Sequence, residues 1–252
     1  MRLLVRFSLF LLCLNALSQS DQQVVGSDIG LSFKGTYLSR YIFRGRTLNL
    51  EDTYQGEFGL GIASWSYNLL YSDPTESADT FLETEYNHNL GFTTVSGRSV
   101  TTLGYQLFDY QGNESDTQEL FIRYSRATQW NPSYGIAYDI DRYKGYYLDF
   151  SMSRSLPFTR RSQFAFSGQF GVAIDLKEET DRSGFVTEEG IYSKDGLVHA
   201  SLHINYLFQF HRRFSMEVGY AYYRANDDLL YNETTIDRDQ PVAHASFKLV
   251  IP

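Results

Sequence analysis

The stretch "YLSRYIFRGRTLNL", Tyr37 to Leu50, sets two guanidinium groups, Arg40 and Arg44, among Tyr37, Tyr41 and Phe43. Arginine is permanently charged and offers a planar fork of donors, so its natural counterparts are carboxylates or anionic solutes. Read as one extended strand, the spacing of four places Arg40 and Arg44 on the same face, roughly 13 Å apart at about 3.3 Å per residue. Glu57 or Asp52 would be their protein partners. A second candidate chemistry is ester hydrolysis. "HAS" occurs at His199 to Ser201 and at His244 to Ser246, and Glu217 could orient a histidine that activates a serine. That reading conflicts with a lipid substrate, because alternation turns His199 and Ser201 to the polar face. The remaining histidines are too dispersed for a metal triad, no Gly-x-Ser-x-Gly or phosphate loop occurs, and the acidic pairs Glu178-Glu179 and Asp227-Asp228 read as solvated loop charge. The expectation is therefore no enzyme, no metal and no cofactor.

The elements that must carry these residues are strands. Tyr and Phe number 20 and 19 against 5 Pro, and no run of apolar residues past the first twenty is long enough for a membrane-spanning helix. Alternation with period two, the mark of a strand with one apolar and one polar face, runs almost end to end. Ile29, Leu31 and Phe33 alternate with Ser32 and Lys34, and Tyr134, Ile136 and Tyr138 with Ala137 and Asp139. Tyr146, Leu148, Phe150 and Met152 oppose Tyr147, Asp149 and Ser151, while Val198, Leu202, Ile204 and Tyr206 oppose His199, Ser201 and His203. With less regular strands near 66–72 and 99–110, we count twelve. That even number, in segments mostly long enough to cross a bilayer at a tilt, predicts a single antiparallel transmembrane β-barrel.

Connection lengths support the same class. Segments after odd strands include the longest, "LKEETDRSGFVTEEGIYSK" and "ANDDLLYNETTIDRDQ", and carry most of the acid. Segments after even strands are short and basic through Arg98, Arg160, Arg161, Arg212 and Arg213. Outer-membrane barrels have short periplasmic turns and longer outer loops, so the short basic set is assigned to the periplasm. Trp65, Phe92, Trp130, Phe158, Phe210 and Phe214 near those turns would form an interfacial girdle. A secreted β-sandwich also alternates, but does not require long and short connections to take turns so regularly.

Residues 1–20 have Arg2 and Arg6 ahead of an apolar run and small residues at Ala16, Ser18 and Ser20, the layout of an export signal, leaving 21–252 as one barrel domain. The single cysteine, Cys13, falls in that segment, which removes disulfide and thiol chemistry from the remainder. A net charge of −8 argues against nucleic acid as partner. The expected surroundings are the outer membrane of a Gram-negative cell, with its lipid and lipopolysaccharide, and the barrel-assembly machinery during insertion.

With polar faces inward, the lumen acquires a basic wall of Lys34, Arg40, Arg44, His244 and Lys248, brought together where the first and last strands meet. An acidic wall of Glu57, Glu83, Glu85, Asp139 and Asp149 would cover much of the rest. Opposed charges of this kind orient small polar solutes and screen ions. The expected function is passive diffusion of a small polar solute or ion. The alternatives are a non-conducting structural or adhesion barrel, a barrel lipid-ester hydrolase, and a secreted β-sandwich binding protein.

Within the opening stretch, Ser39, Tyr41, Phe43, Arg44 and Gly45 match a Ser-x-Tyr-x-Phe/Tyr-Arg-Gly pattern, and in this the chain resembles the TorF-type porin family of bacterial outer-membrane proteins. Looser likeness lies in "TLGYQLFDYQGN" and "GYYLDFSMSRSLP". The resemblance implies an outer-membrane barrel and a porin-like role. Arg40 stands where Asp is common in the pattern, so no acid-dependent role is carried to that position.

Overall fold

The computed structural model describes residues 26–74, 84–111, 116–176, 179–180, 186–188, 192, 194–226 and 239–251. The expected export segment, Glu83, Glu178 and the Asp227-Asp228 pair lie outside the described residues. In chain order the strands are β1 (Gly26–Leu38), β2 (Tyr41–Phe43), β3 (Arg46–Asn49), β4 (Thr53–Ala63), β5 (Trp65–Pro74), β6 (Thr84–Ser96), β7 (Ser99–Gln111) and β8 (Thr117–Arg126). They continue with β9 (Ser133–Asp139), β10 (Tyr146–Pro157), β11 (Ser162–Ile174), β12 (Glu179–Thr180), β13 (Val186–Glu188), β14 (Gly196–His211), β15 (Phe214–Ala225) and β16 (Asp239–Ile251). Twelve of them close into one antiparallel barrel in the order β1-β16-β15-β14-β11-β10-β9-β8-β7-β6-β5-β4. The small pairs β2-β3 and β12-β13 stand apart from the wall.

Closure is made by β1 and β16, paired from Leu31 with Ile251 to Leu38 with His244, so the wall has no free edge there. Alternation decides the faces. Ile29, Phe33, Leu202 and Ile204 are exposed on the outside, while Ser32, Asn68, Asn87 and Ser201 are buried within. Outward rings pair across neighbouring strands, as in Phe33–Phe58 at 5.4 Å, Tyr134–Phe150 at 4.9 Å and Phe150–Phe170 at 5.0 Å between centroids. Such cross-strand aromatic contacts are a main stabilising unit of a sheet. At the short-turn edge, Trp65 meets Phe92 at 5.0 Å and Phe210 meets Phe214 at 5.3 Å, while the Arg154 guanidinium lies 5.3 Å from the Trp130 ring. These contacts place the expected girdle residues at one rim.

Two local expectations are corrected. Val198 does not face outward: Gly171 pairs with His199 but Val172 pairs with Leu197, so Val198 is the extra residue of a β-bulge. The bulge turns Leu197 to the outside and Val198 inward, where it is fully buried. The second correction concerns the first strand. It ends at Leu38, where Ser39 N–H donates to the Ala243 carbonyl at 2.9 Å and Ser39 Oγ accepts from Ala243 N–H at 2.9 Å. Beyond this clasp the chain leaves the wall, so Arg40 and Arg44 are not wall residues.

Candidate functional site

Residues 39–52 form a hairpin that folds into the barrel. β2 pairs with β3, Phe43 opposite Arg46, and the two-residue tip is Arg44-Gly45 with φ of 51° and 84°. Two positive φ values at the centre of a two-residue loop define the type I′ turn that fits the twist of a hairpin. Gly45 suits the tip twice over. Its φ lies in the left-handed region, and an added Cβ would come 2.8 Å from the His199 Cβ on β14. Arg44 lacks that freedom, and a left-handed non-glycine residue costs about 1 to 2 kcal/mol.

What offsets that cost is the bonding of Arg44. Its Nη1 and Nη2 donate to Glu119 Oε1 and Oε2 on β8 at 2.5 and 2.6 Å, a bidentate pair shielded from solvent on both sides. The guanidinium carbon also lies 4.3, 4.9 and 5.7 Å from the ring centroids of Tyr147, Phe43 and Phe108. Burial works against the charge, but Glu119 more than restores it, so the guanidinium holds its proton more firmly than free arginine. The Tyr192 hydroxyl, from the connection between β11 and β14, donates to the Arg44 carbonyl at 3.1 Å, and burial pushes this phenol up to about 12. Further back, Thr47 Oγ1 donates to Gln240 Oε1 on β16 at 2.7 Å, and Asn49 Nδ2 to Thr53 Oγ1 at 2.8 Å. Leu176 and Tyr192 join Phe121, Ala137, Tyr147, Ala173, Val198 and Ala225 in an apolar cluster inside the outer end of the barrel. At this end the lumen is thus crossed by protein.

The other expected site residues distribute differently from two opposed walls. Lys34 has Lys248 on one side and Glu57 on the other in hydrogen-bonded register, so Glu57 sits within the basic group. Asp139 accepts from the N–H groups of Asp141 and Tyr143 at 3.0 Å and from Thr117 Oγ1 at 2.5 Å, which makes it the organiser of the 140–145 turn. Asp149 faces Arg123 across Gly135, in one row of three strands. His244 lies 3.3 Å from Glu217. Glu85 is the remaining member, inward on β6 and 1% exposed. Arg44 meets neither Glu57 nor Asp52, and the Asp52 carboxylate accepts instead from the Tyr37 hydroxyl at 2.9 Å. Arg40 belongs to the hairpin and not to the first wall strand, with its Nη1 buried and unpaired among the described residues.

The hydrolase constellation is not assembled. Ser201 Oγ is 2.9 Å from Nε2 of His203, while Glu217 meets His244 and Asn205. His199 Nδ1 has no partner among the described residues. No group of three His, Cys, Asp or Glu there is arranged to hold a metal ion. The functional residues that the sequence reading missed are Glu119, Tyr192, Gln240 and Phe108. An available signal was the Arg44-Gly45 dipeptide between two short alternating runs, a hairpin-tip pattern.

No protein-family model and no curated protein matches the chain. Solved structures do. An outer membrane channel from Pseudomonas putida F1 superposes with a TM-score of 0.58 at 7% identity, over 93% of this chain and 100% of that one. The NanC porin gives 0.53 at 10% identity, covering 87% and 98%, and the KdgM porin 0.50 at 7% identity with the same coverages. At such identities the likeness establishes the fold, that of a twelve-stranded outer-membrane barrel.

Proposed function

We propose that this protein is an outer-membrane channel for passive diffusion of small polar solutes or ions, narrowed at its outer end by the 39–52 hairpin. Residues 1–20 serve as its export signal, and the Ser39 to Gly45 pattern supports a kinship with the TorF-type porins. The observation that carries the reading is the character of the inner face. Ser66 Oγ and Asn68 Oδ1 on β5, Asn87 Oδ1 on β6 and Asn205 Oδ1 on β14 are buried side-chain oxygens with no partner among the described residues. An oxygen in a dry interior without a partner costs about 1 to 3 kcal/mol, so a wall that repeats this arrangement is built to be wetted. Similar folds in proteins described as channels and porins agree with this assignment.

Planar-bilayer recording of the purified, refolded protein tests it. Small, stable conductance steps with a measurable ion preference are expected, and a silent bilayer containing correctly folded protein would overturn the reading. A second reading, a barrel that conducts nothing, is favoured by the burial of Leu176 and Tyr192 against the wall. It predicts silence in the wild type and in variants that free the hairpin.

A further inference from the structure

The inward carboxylates of the wall differ in what they meet. Glu119 holds Arg44, Glu217 meets His244, Glu57 is flanked by Lys34, Asp149 faces Arg123, and Asp139 is satisfied by N–H and hydroxyl donors. Glu85 meets neutral donors only, the Asn87 amide and the Tyr41 hydroxyl, and no cationic side chain among the described residues. Its Oε1 accepts from Asn87 Nδ2 at 2.6 Å, whereas its Oε2 is buried with no partner among the described residues. Asn87, two residues along and therefore on the same face, is 5% exposed and leaves its own Oδ1 unpartnered. Two buried acceptors thus lie side by side on the inward face of β6, one of them a carboxylate.

The surroundings are specific too. Glu85 lies in register with Tyr110 on β7, and the Tyr41 hydroxyl of the hairpin is within hydrogen-bonding reach of the carboxylate. Tyr41 and Leu48 pack with Leu38, Phe43 and Tyr110, so the space is where the hairpin meets the wall. A carboxylate and an amide oxygen side by side match a compact cation with N–H donors. Carboxylate and amide oxygens accept charge-assisted hydrogen bonds from such donors.

We propose that Glu85 and Asn87, with the Tyr41 hydroxyl beside them, form a binding subsite for the ammonium group of a small cationic solute at the inner side of the hairpin. Binding does not require the proposed channel reading; selection of such solutes for passage does rest on it. The basic residues Lys34 and Lys248 lie on β1 and β16, with β4 and β5 between them and β6, and do not compete for the carboxylate. A solute carrying the ammonium supplies the counter-charge that the protein does not.

The test uses the refolded, detergent-solubilised barrel and ethylammonium chloride, with sodium chloride at equal ionic strength as reference. Ethylammonium is expected to raise the unfolding temperature saturably in the wild type, and the affinity should fall about tenfold or more in Glu85→Gln, the scale of a lost charged hydrogen bond. An identical response in wild type and Glu85→Gln, or none in either, overturns the subsite. Should Glu85→Gln fail to fold, Asn87→Ala is the second variant, with weaker ethylammonium binding expected and unchanged binding counting against the proposal. Bilayer recordings separate the two claims. Binding without current keeps the subsite and removes the channel, whereas current with no ethylammonium response keeps the channel and removes the subsite.

Discussion

The two ends of the lumen are built on different principles. At the outer end, the hairpin tip ties together strands far apart in the wall. Arg44 reaches Glu119 on β8 and lies over Tyr147 on β10, Gly45 abuts His199 on β14, and Thr47 bonds Gln240 on β16. Away from the hairpin, the inward residues are separate polar groups, with Lys34, Glu57 and Lys248 adjacent in register and with Ser66 Oγ, Asn68 Oδ1 and Asn205 Oδ1 left without a partner among the described residues. The outer end draws its stability from pairings that cross the lumen, with Arg44 and Glu119 at their centre. In the proposed channel, the rest of the wall is the part that meets water and solute. Charge placement in one region should therefore govern folding and opening, and in the other, ion preference.

The sharpest way to break this comparison is Glu119→Gln. Leaving the buried Arg44 without its carboxylate should cost about 3 to 5 kcal/mol, read as a lower unfolding temperature on heat-modifiable gels, and the freed hairpin should raise single-channel conductance. Adding Arg44→Ser to Glu119→Gln should recover part of that loss, since neighbours sharing one pairing are not additive. A loss equal to the sum of the single effects would deny the coupling. Gly45→Ala comes next. A left-handed φ and a 2.8 Å approach to His199 should together cost about 1 to 3 kcal/mol, measured by urea unfolding. Tyr192→Phe removes a single hydrogen bond to the Arg44 carbonyl and should cost about 1 kcal/mol by the same measurement. The smallest stability effect belongs to Lys34→Ser with Lys248→Ser. Glu57 loses both neighbouring cations but can protonate, so the cost should stay at or below about 1 kcal/mol while the reversal potential moves toward cation preference. If that pair destabilises the barrel as much as Glu119→Gln does, the division between the two ends fails.

The wall was readable from the sequence because a strand reports its faces at every second residue, and twelve such segments with alternating connection lengths leave few other architectures. Val198 escaped because a bulge is one residue inserted into the count, and nothing in "GLVHAS" marks it. The hairpin escaped for another reason. "YLSRYIFRGRTLNL" continues the alternation of β1, so period two alone cannot say that the chain leaves the wall at Ser39. The partner of Arg44 lies 75 residues away on β8, a contact that depends on barrel curvature and not on local spacing. Lys34, Lys248 and Glu57 were placed on wall strands correctly, but assigning Glu57 to an opposed acidic wall ignored that β4 is the direct neighbour of β1.

The short-turn rim has an optical consequence. Its girdle contains Trp65 and Trp130, and the chain has 2 tryptophans, so all indole emission originates at one edge of the cylinder. When the unfolded chain enters vesicles, a blue shift of that emission times the arrival of this edge at the headgroup layer. Lipids brominated at known depths would then report, without any attached dye, how far the edge sits from the bilayer centre.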